Sequence, residues 1–118
     1  MYVEYLGRNN NLNLTKNKIY KVLNIIEKYY YSIKDDSNIE SIYEPNIFKI
    51  FPLLKVKYIG KDNFSLKKDK LYDVISIESG FNINDSYRII DETDDDYLFN
   101  KNDFEIIENN INKIYENN

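Results

Sequence analysis

Tyr97-Leu98-Phe99-Asn100-Lys101-Asn102-Asp103-Phe104-Glu105-Ile106-Ile107 has the form of a strand, one tight turn and a second strand. Apolar and aromatic residues flank a polar centre, Asn100 to Asp103, of turn-forming type. An earlier stretch, Ser41-Ile42-Tyr43-Glu44-Pro45-Asn46-Ile47-Phe48-Lys49-Ile50-Phe51, repeats the form at the same spacing. Ile42-Tyr43 falls on Leu98-Phe99, Asn46 on Asn102, Phe48 on Phe104, and Ile50-Phe51 on Ile106-Ile107. The chain therefore reads as one small β-unit written twice.

The rest of the chain follows the same duplication. Val3-Glu4-Tyr5-Leu6-Gly7 matches Val56-Lys57-Tyr58-Ile59-Gly60, a short alternating strand that ends at a Gly turn. Leu14 to Lys18 matches Leu66 to Lys70, with Asn17 and Asp69 where a turn needs a residue tolerant of left-handed φ. Ile19 to Ile25 matches Leu71 to Ile77 as the longest strand of each copy. Its apolar parity changes between Val22 and Leu23 and between Val74 and Ile75, which predicts a bulge or a bend. The first copy then runs straight through Glu27-Lys28-Tyr29-Tyr30, whereas the second inserts a turn from Ser79 to Asp85. Tyr31 to Ser37 finally matches Tyr87 to Thr93.

Five strands in about 50 residues, with turn signals between them, predict a small antiparallel barrel. A parallel sheet needs crossover helices, and no long 3.6-period segment exists to form them. The expected fold is all-β: two tandem five-stranded antiparallel barrels, residues 1–52 and 55–108, with a polar tail at 109–118. The apolar joint Phe51-Pro52-Leu53-Leu54-Lys55 is unlike a flexible linker, so the barrels are expected to pack together. In the tail, Ile111, Ile114 and Tyr115 stand at helical spacing, compatible with one or two helical turns or with a frayed end.

Composition narrows the chemistry. The 118 residues are 42% hydrophobic and 15% aromatic, with twelve Tyr, six Phe and no Ala, which favours strands over helices. Neither Cys nor His is present. Disulfides, thiolate nucleophiles, Cys-based zinc sites, His general bases and Ser-His-Asp arrangements are thereby excluded. Three Gly leave no phosphate-cradling loop, and no nucleophile elbow is present. The expectation is a protein that is not an enzyme and carries no cofactor or metal. A net charge of −4 opposes nucleic-acid binding over the whole surface. The start MYVEYLG shows no signal-peptide pattern, and no apolar run is long enough to cross a bilayer. The chain is thus expected to be soluble and cytoplasmic, with no membrane partner.

Phe64 to Ile75, Tyr87-Arg88-Ile89 and Tyr97 to Ile107 together resemble a Src-homology-3-like β-barrel. An apolar-Ser-apolar step leads into a charged turn and a long strand. A central strand follows, then the closing strand, a short 3₁₀ turn and the last strand. The sequence also looks like small uncharacterised units of that type in low-GC bacteria and their phages, which suits its Asn-, Ile-, Lys- and Tyr-rich composition. The resemblance covers most of 56–107 and, more weakly, 3–51. It implies a fold and not a ligand. The family's peptide groove uses a Trp that this chain lacks, and Ser86 and Tyr30 fall nearest its place. The groove's Pro and Tyr align with Phe99 and Asp103 in one copy and with Tyr43 and Ile47 in the other.

Four clusters are candidate binding sites. Asp94, Asp95 and Asp96 form the densest acidic run. It suits a cation or a basic partner but lacks the spacing of a calcium loop, and its plainer reading is a solvated hairpin tip. Tyr29, Tyr30 and Tyr31 cannot all point inward on a strand, and an exposed Tyr suits a binding surface as well as a lid over the barrel end. Tyr43, Tyr87, Tyr97, Phe99 and Asp103 flank the closing turns. Lys55, Lys57, Lys61, Lys67, Lys68 and Lys70 make a basic edge that suits a local nucleic-acid or phosphate site, which the total charge opposes. Charge is uneven between the halves: 7 basic and 6 acidic residues up to Leu54, then 9 and 14.

Two functions remain open at this point. One is a non-enzymatic protein-binding module, a stoichiometric inhibitor or immunity-type protein of bacterial or phage kind. The other is a protein that sequesters a small ligand or nucleotide in an aromatic cleft between barrels or subunits. A nucleic-acid-binding barrel is the weakest expectation.

Overall fold

The computed structural model describes residues 1–8, 11–79 and 85–117. Its elements run β1 (Tyr2–Tyr5), β2 (Ile19–Ile26), β3 (Tyr30–Lys34), β4 (Glu40–Tyr43), a 3₁₀ turn (Pro45–Ile47) and β5 (Phe48–Phe51). There follow β6 (Leu54–Tyr58), β7 (Leu71–Ser79), β8 (Asp85–Ile90), β9 (Asp96–Asn100), a 3₁₀ turn (Lys101–Asp103), β10 (Phe104–Asn109) and α1 (Ile111–Glu116). The chain divides into two compact units, Met1–Phe51 together with Asn117, and Pro52–Glu116. Each holds one five-stranded antiparallel sheet. The orders are β4-β3-β2-β1-β5 and β9-β8-β7-β6-β10, which is one topology used twice.

Duplication extends to the packed interior. Val3, Tyr5, Tyr20, Val22, Ile33 and Phe48 form the buried cluster of the first unit. Val56, Tyr58, Tyr72, Val74, Ile89 and Phe104 are buried at the matching positions of the second, residue type for residue type. Burying a side chain of this size contributes about 1.5–3 kcal/mol relative to leaving it in water. Leu12, Leu14 and Ile47 close over the first cluster from the loop and the 3₁₀ turn.

Local geometry follows the sequence signals in several places. Asn17 and Asp69 take φ of 67° and 64°. Both donate N–H to the last residue of the preceding strand, Tyr5 and Tyr58. The parity changes become register shifts between Val22 and Asn24 in β2 and between Val74 and Ser76 in β7. One residue of each strand, Leu23 or Ile75, is left without a partner there, so the strand bends and swings its outer half toward the next strand.

Two expectations are corrected. The sheets are open rather than closed barrels, since among the described residues no ladder joins β4 to β5 or β9 to β10. The 3₁₀ turns account for this. Phe48 and Phe104 donate N–H back into the turn, to Pro45 and Lys101. Leu6 and Ile59 then tie the turn ends Ile47 and Asp103 to the chain leaving β1 and β6, which takes the last strand there instead of to its predecessor. Secondly, the first copy does not run straight through Glu27-Lys28-Tyr29-Tyr30. Glu27 and Lys28 take φ of 53° and 61°, and Tyr29 N–H donates to Ile26 O, which makes a β-turn within the three-residue hairpin loop Glu27 to Tyr29 that joins Ile26 to its partner Tyr30. The insertion expected between Ser79 and Asp85 lies, at 80–84, outside the described residues.

The tail forms α1, preceded by Asn110, which is buried and donates N–H to Leu53 O and Nδ2 to Pro52 O. Among the described residues no helix is long and apolar enough to cross a membrane.

Candidate binding surface

Each unit gathers aromatic rings around the Phe that follows its 3₁₀ turn. Phe48 packs against Tyr5, Tyr31 and Tyr43 with ring centroids 5.8, 6.1 and 6.0 Å away. Phe104 packs against Tyr58, Tyr87 and Phe99 at 5.5, 6.1 and 6.2 Å. The register explains the match: Tyr31 pairs with Tyr43 across β3–β4, and Tyr87 with Phe99 across β8–β9. Tyr43 and Phe99 are half-buried, Tyr87 is buried, and burial pushes the hydroxyls of Tyr31, Tyr43 and Tyr87 up.

β4 and β9 are sheet edges, and both carry apolar groups in water. Ile42 is 58% exposed, Tyr97 50% and Leu98 46%. Strand side chains alternate, so Tyr97 and Leu98 point to opposite faces of β9. Tyr29 stands exposed in its turn, its ring 4.9 Å from the half-buried Tyr30 in an edge-on contact. Asp103 is exposed in the second 3₁₀ turn and accepts Ile59 N–H on its carbonyl.

Asp94, Asp95 and Asp96 lie at the β8–β9 hairpin, all exposed. The turn is held by Asp91, whose Oδ1 accepts from the Thr93 amide and hydroxyl, with Asp94 at φ 63°. Burial pushes the Asp91 carboxyl up, but hydrogen bonding, chiefly from the Thr93 hydroxyl and amide, outweighs it and holds the group low. Asp96 binds Arg88 at 2.8 Å, and the same guanidinium holds Glu78 at 2.6 Å. Arg88 thus braces three adjacent strands and keeps the Glu78 carboxyl low. Among the described residues no group of three or more carboxylates is placed to hold a metal ion.

The structure adds a Tyr-centred network in each unit, the second of which takes in Lys67 and Lys70 of the basic edge. Tyr20 Oη accepts Thr15 N–H at 2.7 Å and donates to Asp36 at 2.8 Å, while Lys18 binds Asp36 at 3.0 Å. Tyr72 Oη accepts Lys67 N–H at 2.8 Å and donates to Glu92 at 3.1 Å, while Lys70 binds both Glu92 oxygens at 2.7 Å. Each ammonium also sits over its Tyr ring, at 5.4 and 5.9 Å. The signal was present: Lys-x-Tyr recurs at 18–20 and 70–72, with an acid at 36 and 92. Beside the second network lies a recess of about 420 Å³ with Lys70, Leu71, Tyr72, Ile90 and Glu92 among its walls.

The predicted site residues therefore fall into separate groups. Tyr43 lies within the first unit's aromatic cluster, and Tyr87 and Phe99 within the second's. Tyr97 lies on the β9 edge, Asp94 to Asp96 on the hairpin, Tyr29 and Tyr30 at the β2–β3 turn, and Asp103 on the 3₁₀ turn. No protein-family model matches the chain, and a comparison with curated proteins returns no significant match.

Proposed function

We propose that the chain is a non-enzymatic protein-binding module of two Src-homology-3-like units, acting as a stoichiometric inhibitor or immunity-type protein. The shared strand order and the 3₁₀ turn between the last two strands of each sheet support the family likeness. One observation carries the functional reading. β9 is an edge strand with Tyr97 and Leu98 half-exposed on its two faces, and among the described residues nothing pairs with its outer side. Such an edge offers backbone donors and acceptors for strand addition, with side chains on both faces to read the partner. Tyr supplies large contact area at low entropic cost.

The test is a quantitative pull-down from the source cell with the wild-type chain and a Tyr97→Ser/Leu98→Ser double variant. A protein retained near one-to-one by the wild type and lost by the variant supports the module. No retained protein, or equal retention by both, counts against it.

A further inference from the structure

The two units differ at one pair of backbone groups. In the first, Ile19 lies opposite Glu4. The bonds to β1 come from its neighbours: Tyr5 N–H donates to Lys18 O at 3.1 Å and Val22 N–H to Met1 O at 2.9 Å. Bonded and non-bonded pairs alternate along an antiparallel ladder, so the Ile19 N–H and C=O turn away from β1. β3 does not reach them, because its pairing with β2 starts at Val22. The Asn117 carboxamide takes both groups. Its Nδ2 donates to Ile19 O at 2.8 Å and its Oδ1 accepts Ile19 N–H at 3.0 Å.

The second unit repeats this arrangement except for the last step. Leu71 lies opposite Lys57, Tyr58 N–H donates to Lys70 O at 3.0 Å, and β8 begins pairing at Val74. The Leu71 N–H and C=O therefore turn outward in the same sense. Among the described residues no side chain stands there as Asn117 does; the position is a wall of the 420 Å³ recess. Lys70 and Lys55 at this recess are held by Glu92 at 2.7 Å and Asp73 at 3.6 Å. Asp94 also lines it, with no cation paired to it among the described residues.

We propose that this recess binds a primary carboxamide, the side chain of an Asn or Gln on a partner polypeptide, with a cationic residue beside it facing Asp94. The carboxamide pairs with Leu71 as Asn117 pairs with Ile19. A carboxylate cannot donate to the Leu71 carbonyl and an ammonium cannot accept from its N–H, whereas an amide does both from one planar group. Tyr97 and Leu98 take no part, so this site and the edge-strand reading succeed or fail separately. Two hydrogen bonds at a solvated strand predict a dissociation constant of about 1 mM or weaker for a short peptide.

The test titrates the isotope-labelled full chain with acetyl-Asn-Lys-N-methylamide and its Gln, Asp and Leu analogues, following amide resonances by NMR. The Asn and Gln peptides are expected to shift the Leu71 amide proton downfield and saturably, and the Asp and Leu analogues are not. Replacing Lys by norleucine is expected to weaken the Asn peptide several-fold. Ile19 stays still in the wild type and responds in Asn117→Ala, where its groups are released. An equal Leu71 shift with the Leu analogue means backbone strand pairing and overturns the carboxamide assignment. No saturable shift at Leu71 overturns the site.

Discussion

Tyr20→Phe removes one oxygen and leaves the ring volume in place, so its effect isolates the hydrogen-bond network from packing. That oxygen is the acceptor for the Thr15 amide and a donor to Asp36. The amide loses its acceptor at a part-buried position, a cost of about 1 kcal/mol. Asp36 keeps Thr15 Oγ1 at 2.7 Å and Lys18 at 3.0 Å, and its side chain is 31% exposed, so water replaces part of the lost bond. The second contribution is therefore about 0.5–1 kcal/mol, and the total about 1.5–2 kcal/mol. Tyr72→Phe is expected to cost less, about 1 kcal/mol, because Glu92 is 3.1 Å from the hydroxyl and retains Lys70 on both oxygens. Urea unfolding followed through NMR peaks assigned to each unit reads the two losses without assuming that the whole chain melts as one. The pH axis gives a second reading. Burial first, and the Asp36 carboxylate after it, push the Tyr20 hydroxyl up to about 12. The folded unit then keeps a proton that the unfolded chain releases near pH 10. This contribution is full below pH 10 and is lost as pH rises through about 12. Tyr20→Phe should flatten that alkaline decline, with a residual slope from Tyr31 and Tyr43. A Tyr20→Phe stability within about 0.3 kcal/mol of wild type, or an unchanged alkaline slope, refutes the reasoning.

Other perturbations address the core, the turn and the acid limb. Ile33→Ala and Ile89→Ala, at matching positions with no exposed surface, should each cost about 2–5 kcal/mol and lower the urea midpoint of the unit that carries them. Glu27→Asn with Lys28→Gly should raise the first unit's stability by about 1–2 kcal/mol, since both native residues hold positive φ that Asn and Gly adopt with little strain; an unmoved or lowered midpoint would contradict the turn assignment. In acid the sign is opposite to that of Tyr20. Arg88 holds the Glu78 carboxyl below its usual 4.5, and hydrogen bonds outweigh burial to hold Asp36 and Asp91 below 3.8. Their stabilisation is present above those ordinary values and is lost as pH falls through the depressed ones. A circular-dichroism acid titration should show this loss below about pH 4, and Glu78→Gln should make it shallower.

Much of the fold was legible because the two copies check each other. Val22-Leu23 and Val74-Ile75 break parity at the same point of the same strand, and a bulge is the physical meaning of that break. Asn17 and Asp69 marked left-handed turns because their short polar side chains tolerate positive φ. The turn at Glu27-Lys28 was not legible for the converse reason. Neither residue favours positive φ, and the conformation is imposed by pairing Ile26 with Tyr30 across it. Barrel closure was over-read. Strand count and spacing fix how many strands exist, but only the path of the chain after Asp103 decides which edge the last strand joins. The recess beside Leu71 was illegible for a related reason: it depends on where β8 starts pairing, a property of the bulge at Ile75 and not of any residue in the recess.

The copies agree inside and diverge outside, and this locates the chemistry to be tested. Identical Val, Tyr, Ile and Phe side chains fill the six matched interior positions, so the shape there is set by packing and leaves little room for a difference in role. The surface changes are of another kind. Asn38-Ile39-Glu40 becomes Asp94-Asp95-Asp96 on the same left-handed turn, with φ of 66° at Asn38 and 63° at Asp94. That replacement adds two carboxylates without altering the backbone. It is therefore a change in the field around the hairpin, felt by a charged group within about a Debye length, some 8–10 Å at ordinary salt. Ile19 is satisfied by Asn117 while Leu71 faces its recess, next to that added charge at Asp94. Both changes fall on one side of one unit. A partner that reads only shape would meet two near-copies of one surface, whereas a partner carrying an amide and a positive charge would meet a single site on the second unit. Salt should weaken binding of the Lys-containing peptide to the wild type, and that weakening should vanish with norleucine in place of Lys or in Asp94→Asn, whereas a partner that reads only shape would show no salt dependence in any of these cases.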